Sequence, residues 1–170
     1  MNLLETERLV LREITVDDSE FILDLLNQPK YLKYIGDKGV RTVEDAATFI
    51  ENLIRKSYRD NGYGHYIVHL RDDPTPMGTC GYVRRDSLPD PDIGFAFLPQ
   101  FEKKGYAFES AYAVLKYGRE VLGFKRVLAI TTPDNESSGK LLEKLGFTFD
   151  RLIKPAPGDP ELKLFSSDTP

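Results

Sequence analysis

The stretch that carries the clearest chemistry is a short basic turn between a predicted apolar strand and a predicted long helix. The strand candidate covers residues 93–98, and the turn then brings Lys103, Lys104 and Gly105 to the start of the helix. Free backbone N–H groups and the positive end of the helix dipole meet at such a point, which favours an anion site. Gly105 lets the backbone approach a bound group closely. The alternative interpretation is an ordinary strand-to-helix connection, because short glycine motifs are weak evidence.

Other reactive side chains are spaced in a way that favours structural roles. His65 and His69 have the HxxxH spacing of a metal site, but Tyr66 stands where a metalloprotease helix carries Glu, and the segment is predicted to be a strand. Cys80 has no base beside it, so a small buried residue is a better interpretation than a thiol nucleophile. The sequence therefore predicts no metal site. Four tyrosines around the second predicted helix either line a binding groove or pack their rings against the core; they are Tyr31, Tyr34, Tyr58 and Tyr63.

The composition is that of one soluble globular domain. The chain has 170 residues, of which 41% are hydrophobic and 29% charged, and this length predicts a single domain over residues 1–170. The net charge of −4 argues against a nucleic-acid-binding protein, which normally carries a basic surface. The same charge is weakly compatible with a cationic small molecule or peptide as substrate.

Nothing in the sequence predicts export or membrane insertion. The single cysteine excludes an intrachain disulfide, and acidic residues near the N-terminus stand where a signal peptide needs basic ones. No apolar run approaches the roughly 18 residues of a membrane span. We therefore expect a cytoplasmic protein.

The elements that must position the basic turn alternate between strands and helices. A first strand is predicted over residues 9–14, a helix follows it, and a second helix begins at the capping-box-like pair Thr42 and Asp45. Three strand candidates follow within residues 66–98. Strands and helices then alternate over residues 93–149, so an α/β fold whose sheet is parallel or mixed at its centre is expected.

Three stretches of the chain occur in an order and spacing that is more specific than any one of them. They are residues 6–12 (TERLVLR), residues 93–99 with 104–107 (IGFAFLP and KGYA), and residues 135–138 with 141–147 (NESS and LLEKLGF). Together they span nearly the whole chain and resemble the GNAT superfamily of N-acetyltransferases. The first stretch resembles the start of its RimJ/RimL-type branch, the ribosomal-protein-alanine N-acetyltransferase-like proteins.

The resemblance implies a fold and a way to hold acetyl-CoA as co-substrate. The sheet would be twisted, mixed and centrally parallel, with about six to seven strands, about four flanking helices and two splayed strands that form the cofactor cleft. The backbone of Phe97 and Leu98 would bind the pantetheine arm, and Asn135 would contact the cofactor from the next turn. The pyrophosphate would be held by the loop amides of Lys103, Lys104, Gly105, Tyr106, Ala107 and Phe108.

Two residues depart from the family pattern and keep a second function open. The pattern usually has Gln or Arg where Glu102 stands, so an acid flanks a polyanion site, and this branch usually has Gly where Lys103 stands. The leading interpretation is an N-acetyltransferase that moves an acetyl group to a primary amine by direct attack in a ternary complex. The alternative is a non-catalytic acyl-CoA-binding sensor or partner domain.

Two residues are candidates for the proton transfers of the leading interpretation. An alkyl amine has a pKa near 10 and must lose a proton before it attacks, and Asp92 at the start of the cofactor strand is the most attractive base. Turn chemistry after Pro91 is the alternative role of Asp92. In many family members a tyrosine protonates the departing thiolate, but Leu142 stands at that position here. Ser138, one helical turn earlier, either substitutes for it or satisfies a free backbone group.

The resemblance does not identify the acceptor. It implies a small-molecule amine or a peptide N-terminus, for a protein that is a monomer or a homodimer. No nucleic-acid, membrane or metal partner is expected.

Overall fold

A computed structural model describes residues 2–168, which form one eight-stranded sheet in the order β1-β2-β3-β4-β5-β6-β8-β7. The strands are β1 (Asn2–Glu5), β2 (Leu9–Glu13), β3 (His65–Leu70), β4 (Asp73–Val83), β5 (Asp92–Phe97), β6 (Arg126–Thr131), β7 (Thr148–Ile153) and β8 (Leu162–Asp168). The helices are α1 (Ser19–Leu26), α2 (Pro29–Tyr34), α3 (Val43–Phe49), α4 (Lys56–Asn61), α5 (Tyr106–Glu120) and α6 (Glu136–Lys144). A π-helical segment, Ile50–Arg55, joins α3 to α4 into one continuous helix.

The expected α/β fold with a mixed sheet is confirmed, with two differences in the number of elements. The sheet has eight strands instead of six to seven, because Asn2–Glu5 pairs with β2 although it is too short to show an alternating pattern. A helix also forms at Pro29–Tyr34, where Pro29 occupies the first turn and needs no hydrogen-bond acceptor there. With α3 and α4 counted as one, five helices flank the sheet instead of four. The capping box predicted at Thr42 and Asp45 is present.

Alternation along the strands sends side chains to two separate cores. The larger core lies between the sheet and α5, where buried Val68, Cys80 and Ile93 pack with Val114. The smaller core lies on the opposite face. There Ile67 packs with residues of the N-terminal helices and of the connections around them; these are Ile14, Ile22, Leu26, Val40, Ala46 and Ile50. The two faces of the sheet are therefore covered by different helices.

The centre of the sheet is held together by very little pairing. Every neighbouring pair of strands is antiparallel except β5 and β6, which run parallel. Their register contains one pair, Asp92 with Leu128, and the Leu128 N–H donates to the Pro91 carbonyl at 2.9 Å. Beyond that point β5 and β6 diverge, and a cleft opens toward their carboxyl ends. No helix within residues 2–168 is long and apolar enough to cross a bilayer.

Candidate active site

The basic turn between β5 and α5 has the geometry of an anion site. Gly105 is the N-cap of α5 and adopts the left-handed conformation, with φ of +84°. Within the described chain, the backbone N–H groups of residues 103–108 donate no hydrogen bond to a protein acceptor. Free donors and the positive end of a 15-residue helix therefore converge at the mouth of the cleft.

Lys103 occupies a backbone conformation that suits glycine better. Its φ is +61°, and it is the one residue other than glycine with positive φ between residues 2 and 168. This conformation costs an L-residue about 1–2 kcal/mol. The strain occurs where the family pattern usually has a flexible glycine, so this loop keeps a conformation that suits glycine and gains a positive charge.

Glu102, the second departure from the family pattern, is neutralised by a lysine from the other face of the cleft mouth. Lys30 Nζ on α2 lies 2.7 Å from Glu102 Oε2. The acid is therefore part of an ion pair that ties α2 to the turn. An anion bound at the turn faces less net repulsion than the sequence alone indicates.

The N-terminal clasp, which we define as Thr6, Arg8 and Glu109, fixes the start of α5 against the beginning of the chain. Glu109 Oε1 accepts from the Thr6 hydroxyl at 2.6 Å and from the Arg8 backbone N–H at 2.9 Å. Arg8 Nε donates to Glu109 Oε2 at 2.7 Å, and Arg8 Nη1 donates to the Lys104 carbonyl at 3.1 Å. The guanidinium also lies 4.7 Å from the centre of the Tyr106 ring. Partial burial opposes ionisation of Glu109, but the hydrogen bonds from Thr6 and Arg8 outweigh it and lower its pKa.

The unpaired edge of β5 presents Phe97 to the cleft. The Leu98 N–H donates to the Met77 carbonyl on β4 at 3.0 Å, so this group is already engaged within the sheet. Because backbone groups alternate sides along an antiparallel strand, those of Phe95 and Phe97 point away from β4 and toward β6. Of the two residues expected to bind an extended arm, Phe97 thus offers its N–H and carbonyl. Leu98 offers neither group, because its carbonyl accepts from the Phe101 N–H at 3.0 Å.

The opposite wall of the cleft is built by the end of β6 and the start of α6. Asn135 caps α6, since its Oδ1 accepts from the Ser138 N–H at 3.3 Å, and its side-chain NH₂ has no partner within residues 2–168. The Ser138 hydroxyl makes no hydrogen bond in that same range. Two buried hydroxyl oxygens at the end of β6, Thr131 Oγ1 and Thr132 Oγ1, also lack a partner. Buried polar groups are normally satisfied, so this wall has the donors and acceptors of a binding site.

Asp92 lies where the cleft is narrowest. Its side chain is 2% exposed, and Arg85 Nε donates to both carboxylate oxygens, at 3.1 and 3.3 Å. Burial raises the pKa of Asp92 to about 6, although the charge and hydrogen bonds of Arg85 oppose that shift. A carboxyl group with such a pKa is ionised at neutral pH and still basic enough to accept a proton.

The tyrosines and other reactive side chains do not form one site. Both groups of rings lie in the larger core. Tyr58 stacks on Tyr66, and Tyr63 packs edge-on against Tyr82 and Phe124. Burial raises the pKa of the Cys80 thiol to about 12, which excludes a reactive thiolate. No group of three His, Cys, Asp or Glu residues in the described part of the chain is placed to hold a metal ion.

Sequence reasoning missed the contacts that join distant parts of the chain. Arg8 and Glu109 are 101 positions apart, and Lys30 and Glu102 are 72 apart. No local pattern carries such pairings. Arg85 was also missed, since one of two adjacent arginines after a strand has no distinguishing spacing.

The cleft fits a molecule that has phosphates at one end and an extended polar arm. The six free amides and two lysines of the turn are able to receive phosphates, the β5 edge at Phe97 is able to pair with an extended arm, and Asn135 lies on the other wall. The cleft closes at Asp92, where the strands meet. Coenzyme A esters have this shape, so the residues present fit an acyl-CoA.

Comparison with known proteins agrees with this geometry. Residues 8–148 match the family model for the acetyltransferase (GNAT) domain. The chain is 29% identical over 153 residues to the uncharacterized N-acetyltransferase YoaA of Bacillus subtilis, covering 89% of this chain and 86% of that protein.

Solved structures share the fold. An acetyltransferase from Agrobacterium tumefaciens superposes with a TM-score of 0.83 at 24% identity and covers 99% of this chain and 95% of its own. RimL, a ribosomal L7/L12 alpha-N-protein acetyltransferase in complex with coenzyme A, gives 0.77 at 16% identity, over 99% of this chain and 98% of its own. The match of the family model to most of the chain shows that the protein belongs to the GNAT family and is an N-acetyltransferase that uses acetyl-CoA.

Proposed function

We propose that the protein transfers the acetyl group to a primary amine by direct attack in a ternary complex. The observation that carries the proposal is the divergence of β5 from β6 immediately beyond Asp92. The cleft so formed passes between the two faces of the sheet, with the anion site of α5 at its mouth and a candidate base at its narrow end. Cofactor and amine therefore reach the same point without displacing each other.

Binding of the co-substrate depends on backbone groups and two charged side chains. The amides of residues 103–108 hold the pyrophosphate, with Lys103 and Lys104 adding positive charge. Phe97 pairs with the pantetheine arm as an added strand would, and Asn135 uses its free NH₂ group. Acetyl-CoA supplies a thioester carbonyl that a neutral amine attacks, with loss of the C–S bond.

The chain's own task in the chemical step is to move two protons. Asp92 accepts a proton from the ammonium form of the acceptor, since its pKa of about 6 leaves it ionised at neutral pH. Ser138 donates a hydrogen bond toward the sulfur and relays a proton from water. The free N–H groups on the β5 edge stabilise negative charge that develops on the carbonyl oxygen.

We expect Ser138→Ala to lower kcat by about tenfold to a hundredfold, with little change in acetyl-CoA affinity. The reason is that the hydroxyl has no protein partner and lies one turn before buried Leu142, where many family members carry a proton-donating tyrosine. Steady-state release of free thiol measures kcat, and thermal shift measures affinity. Exposed Ser137→Ala on the same helical turn is the matched control. Wild-type kcat in Ser138→Ala would remove Ser138 from the mechanism.

We expect Arg8→Met to raise the Kd for acetyl-CoA by about tenfold, because Glu109 on α5 and the Lys104 carbonyl then lose the hydrogen bonds of the Arg8 guanidinium. Glu109→Gln tells whether Arg8 positions the loop or contacts the phosphates itself. This variant weakens the bond between Glu109 and Arg8 and keeps the positive charge of the guanidinium. Arg126→Met, which breaks a remote exposed pair with Asp168, is the control. If Arg8→Met weakens binding and Glu109→Gln does not, Arg8 contacts the phosphates itself instead of positioning the loop.

The overall test is a panel of amines with acetyl-CoA. The panel contains N-terminal peptides and small amines, and the readout is thiol release together with mass spectrometry of the acetylated product. Thiol release on at least one amine supports the enzyme. Tight acetyl-CoA binding without release on any amine would favour the sensor domain that Glu102 and Lys103 suggested from the sequence.

A further inference from the structure

The basic recess, which we define as Lys38, His65, Arg85 and Tyr31, lies on the face of the sheet opposite α5, next to Asp92. His65 shares its face with Gly94, because His65 pairs with Gly81 and Gly81 pairs with Gly94 across β4. A Cβ placed on Gly94 would lie 3.2 Å from His65 Cε1 and Nε2, so the imidazole rests directly over that glycine. The recess therefore borders the narrow end of the cofactor cleft.

Four separate elements deliver these side chains to one place. Tyr31 comes from α2, Lys38 from the connection between α2 and α3, His65 from the start of β3, and Arg85 from the connection between β4 and β5. Tyr31 packs against the smaller core, and Val40, two residues after Lys38, is buried in that core. His65 lies two positions before Ile67 of the same core and so faces the same side of the sheet. Burial and the charge of Arg85 lower the pKa of both Lys38 and His65. The recess is thus a spatial cluster, although its residues are spread over 55 positions of sequence.

The connection that carries Lys38 is held in a defined shape. Asp37 Oδ1 accepts from the Gly39 N–H at 2.8 Å, and Arg41 Nη2 donates to Asp37 Oδ2 at 2.5 Å. The neighbouring carboxylate is therefore occupied by Arg41. Lys38 forms no ion pair in the described chain, so its ammonium group is available to a bound molecule.

Arg85 also has hydrogen-bond donors that no protein group in the described chain uses. Its Nε is engaged with Asp92, and the terminal guanidinium nitrogens donate to nothing within residues 2–168. The side chain is 38% exposed, so these nitrogens are accessible. Asp92 is the one carboxylate paired with Arg85 there, and it is also the candidate base. The recess consequently holds more positive than negative charge, in a chain whose net charge is −4.

A surplus of positive charge beside an amine-binding point is unfavourable unless the substrate compensates for it. A simple cationic amine would be repelled by the like charges of Lys38 and Arg85. An anionic group on the same molecule would reverse the sign of that interaction. His65 does not add to the repulsion, because burial and the charges of Arg85 and Lys38 lower its pKa to about 4 and keep it neutral.

We infer that the acceptor is a small amine that also carries an anionic group, a carboxylate or a phosphate, which Lys38 and the free end of Arg85 bind while the amine lies at Asp92. This inference rests on the proposed function, since it identifies the class of acceptor for that site. The two nitrogens of a guanidinium suit the two oxygens of a carboxylate or phosphate. Charge pairing with Lys38 and Arg85 then places the amine beside the base.

The experiment compares acceptors that differ in the anionic group alone. The pairs are β-alanine with 3-aminopropanamide and O-phosphoethanolamine with ethanolamine, and the readout is kcat/KM from thiol release. We expect the anionic member of at least one pair to be the better substrate by about tenfold or more, and the pair that responds tells carboxylate from phosphate. Equal or higher kcat/KM for 3-aminopropanamide and ethanolamine, the members without an anionic group, would overturn the inference and leave the acetyltransferase proposal standing.

A lysine variant connects the preference to the recess. Lys38→Met is chosen because Arg85 also holds Asp92, so its loss would disturb the base. We expect Lys38→Met to raise KM for the preferred anionic acceptor about tenfold, with no such rise for the paired amine that lacks the anionic group. The control is Lys33→Met, an exposed lysine of α2 that lies over Tyr34. An unchanged preference in Lys38→Met would overturn the assignment.

A binding measurement keeps the inference separate from catalysis. Calorimetric titration of the acetyl-CoA-free protein with the same four compounds reports recognition without turnover. Binding of an anionic member that Lys38→Met weakens supports the recess even if no amine releases thiol, in which case the proposed function alone has failed. Equal affinity for the members with and without the anionic group would count against the recess, whatever the kinetics show.

Discussion

Asp92→Asn is expected to lower kcat at about pH 7.5 by a hundredfold or more, the usual contribution of a positioned general base. The asparagine amide keeps the size of the carboxyl group and can still accept from Arg85, but it cannot take up a proton. Acetyl-CoA affinity should change little, because Asp92 lies at the closed end of the cleft, away from the α5 anion site. Thiol release gives kcat, and thermal shift gives affinity.

The pH profile provides a readout that a merely structural role would not change. With a pKa of about 6, Asp92 is protonated and inactive as a base below that pH, so the wild-type rate should rise through about pH 6. The variant should lack this rise. Its deficit should shrink toward about pH 10, where free amine becomes abundant in solution.

Asp86→Asn, an exposed acid on the same β4–β5 connection, is the matched control. It should retain wild-type kcat across the range. Equal rates of Asp92→Asn and wild type at every pH would show that the amine loses its proton elsewhere.

Gly105→Val is expected to abolish the stabilisation of the protein by acetyl-CoA. At a ligand concentration about 100 times Kd, the wild-type Tm should rise by about 5–10 °C. A β-branched residue is strained at φ of +84°, and its Cβ would lie 3.2 Å from Arg8 Nη2, against the N-terminal clasp. The side chain would also occupy the space that the phosphates need beside the free amides.

The control for Gly105→Val must carry the same backbone cost away from the site. Gly123 follows the other end of α5, adopts φ of +74°, and has open space around its Cβ position. Gly123→Val should therefore lower the Tm without ligand by a similar amount and keep the acetyl-CoA shift. A full shift in Gly105→Val would disprove the assignment of the loop.

The sequence was most informative where the structure is local. The turn before α5, the glycine at its N-cap and the capping box at Thr42 depend on a few consecutive residues, so composition and spacing predict them. The assignment of the turn to an acetyl-CoA cleft needed the family resemblance, because free amides at a helix start bind many anions. Asn135 and Ser138 were identified as site residues mainly through that resemblance.

What the sequence could not provide was the pairing between distant residues. The neutralisation of Glu102 depends on Lys30, and the basic recess depends on strand register, which decides that His65 and Gly94 share a face. The sequence also left open whether the tyrosines line a groove or pack into the core. Tyr58 and Tyr63 pack in the larger core, Tyr58 on Tyr66 and Tyr63 against Phe124.

The single residue pair that joins β5 to β6, Asp92 with Leu128, affects how firmly the two parts of the sheet are held together. It divides the sheet into a five-stranded part, β1 to β5, and a three-stranded part, β6 to β8. Within each part the neighbouring strands are paired antiparallel. An extended ligand that hydrogen-bonds to the β5 edge restores continuity across the gap, as an added strand does. Without it, the two parts meet through this single pair and the side chains of the larger core. We therefore expect bound acetyl-CoA to stiffen the sheet at the point where the acceptor must be held.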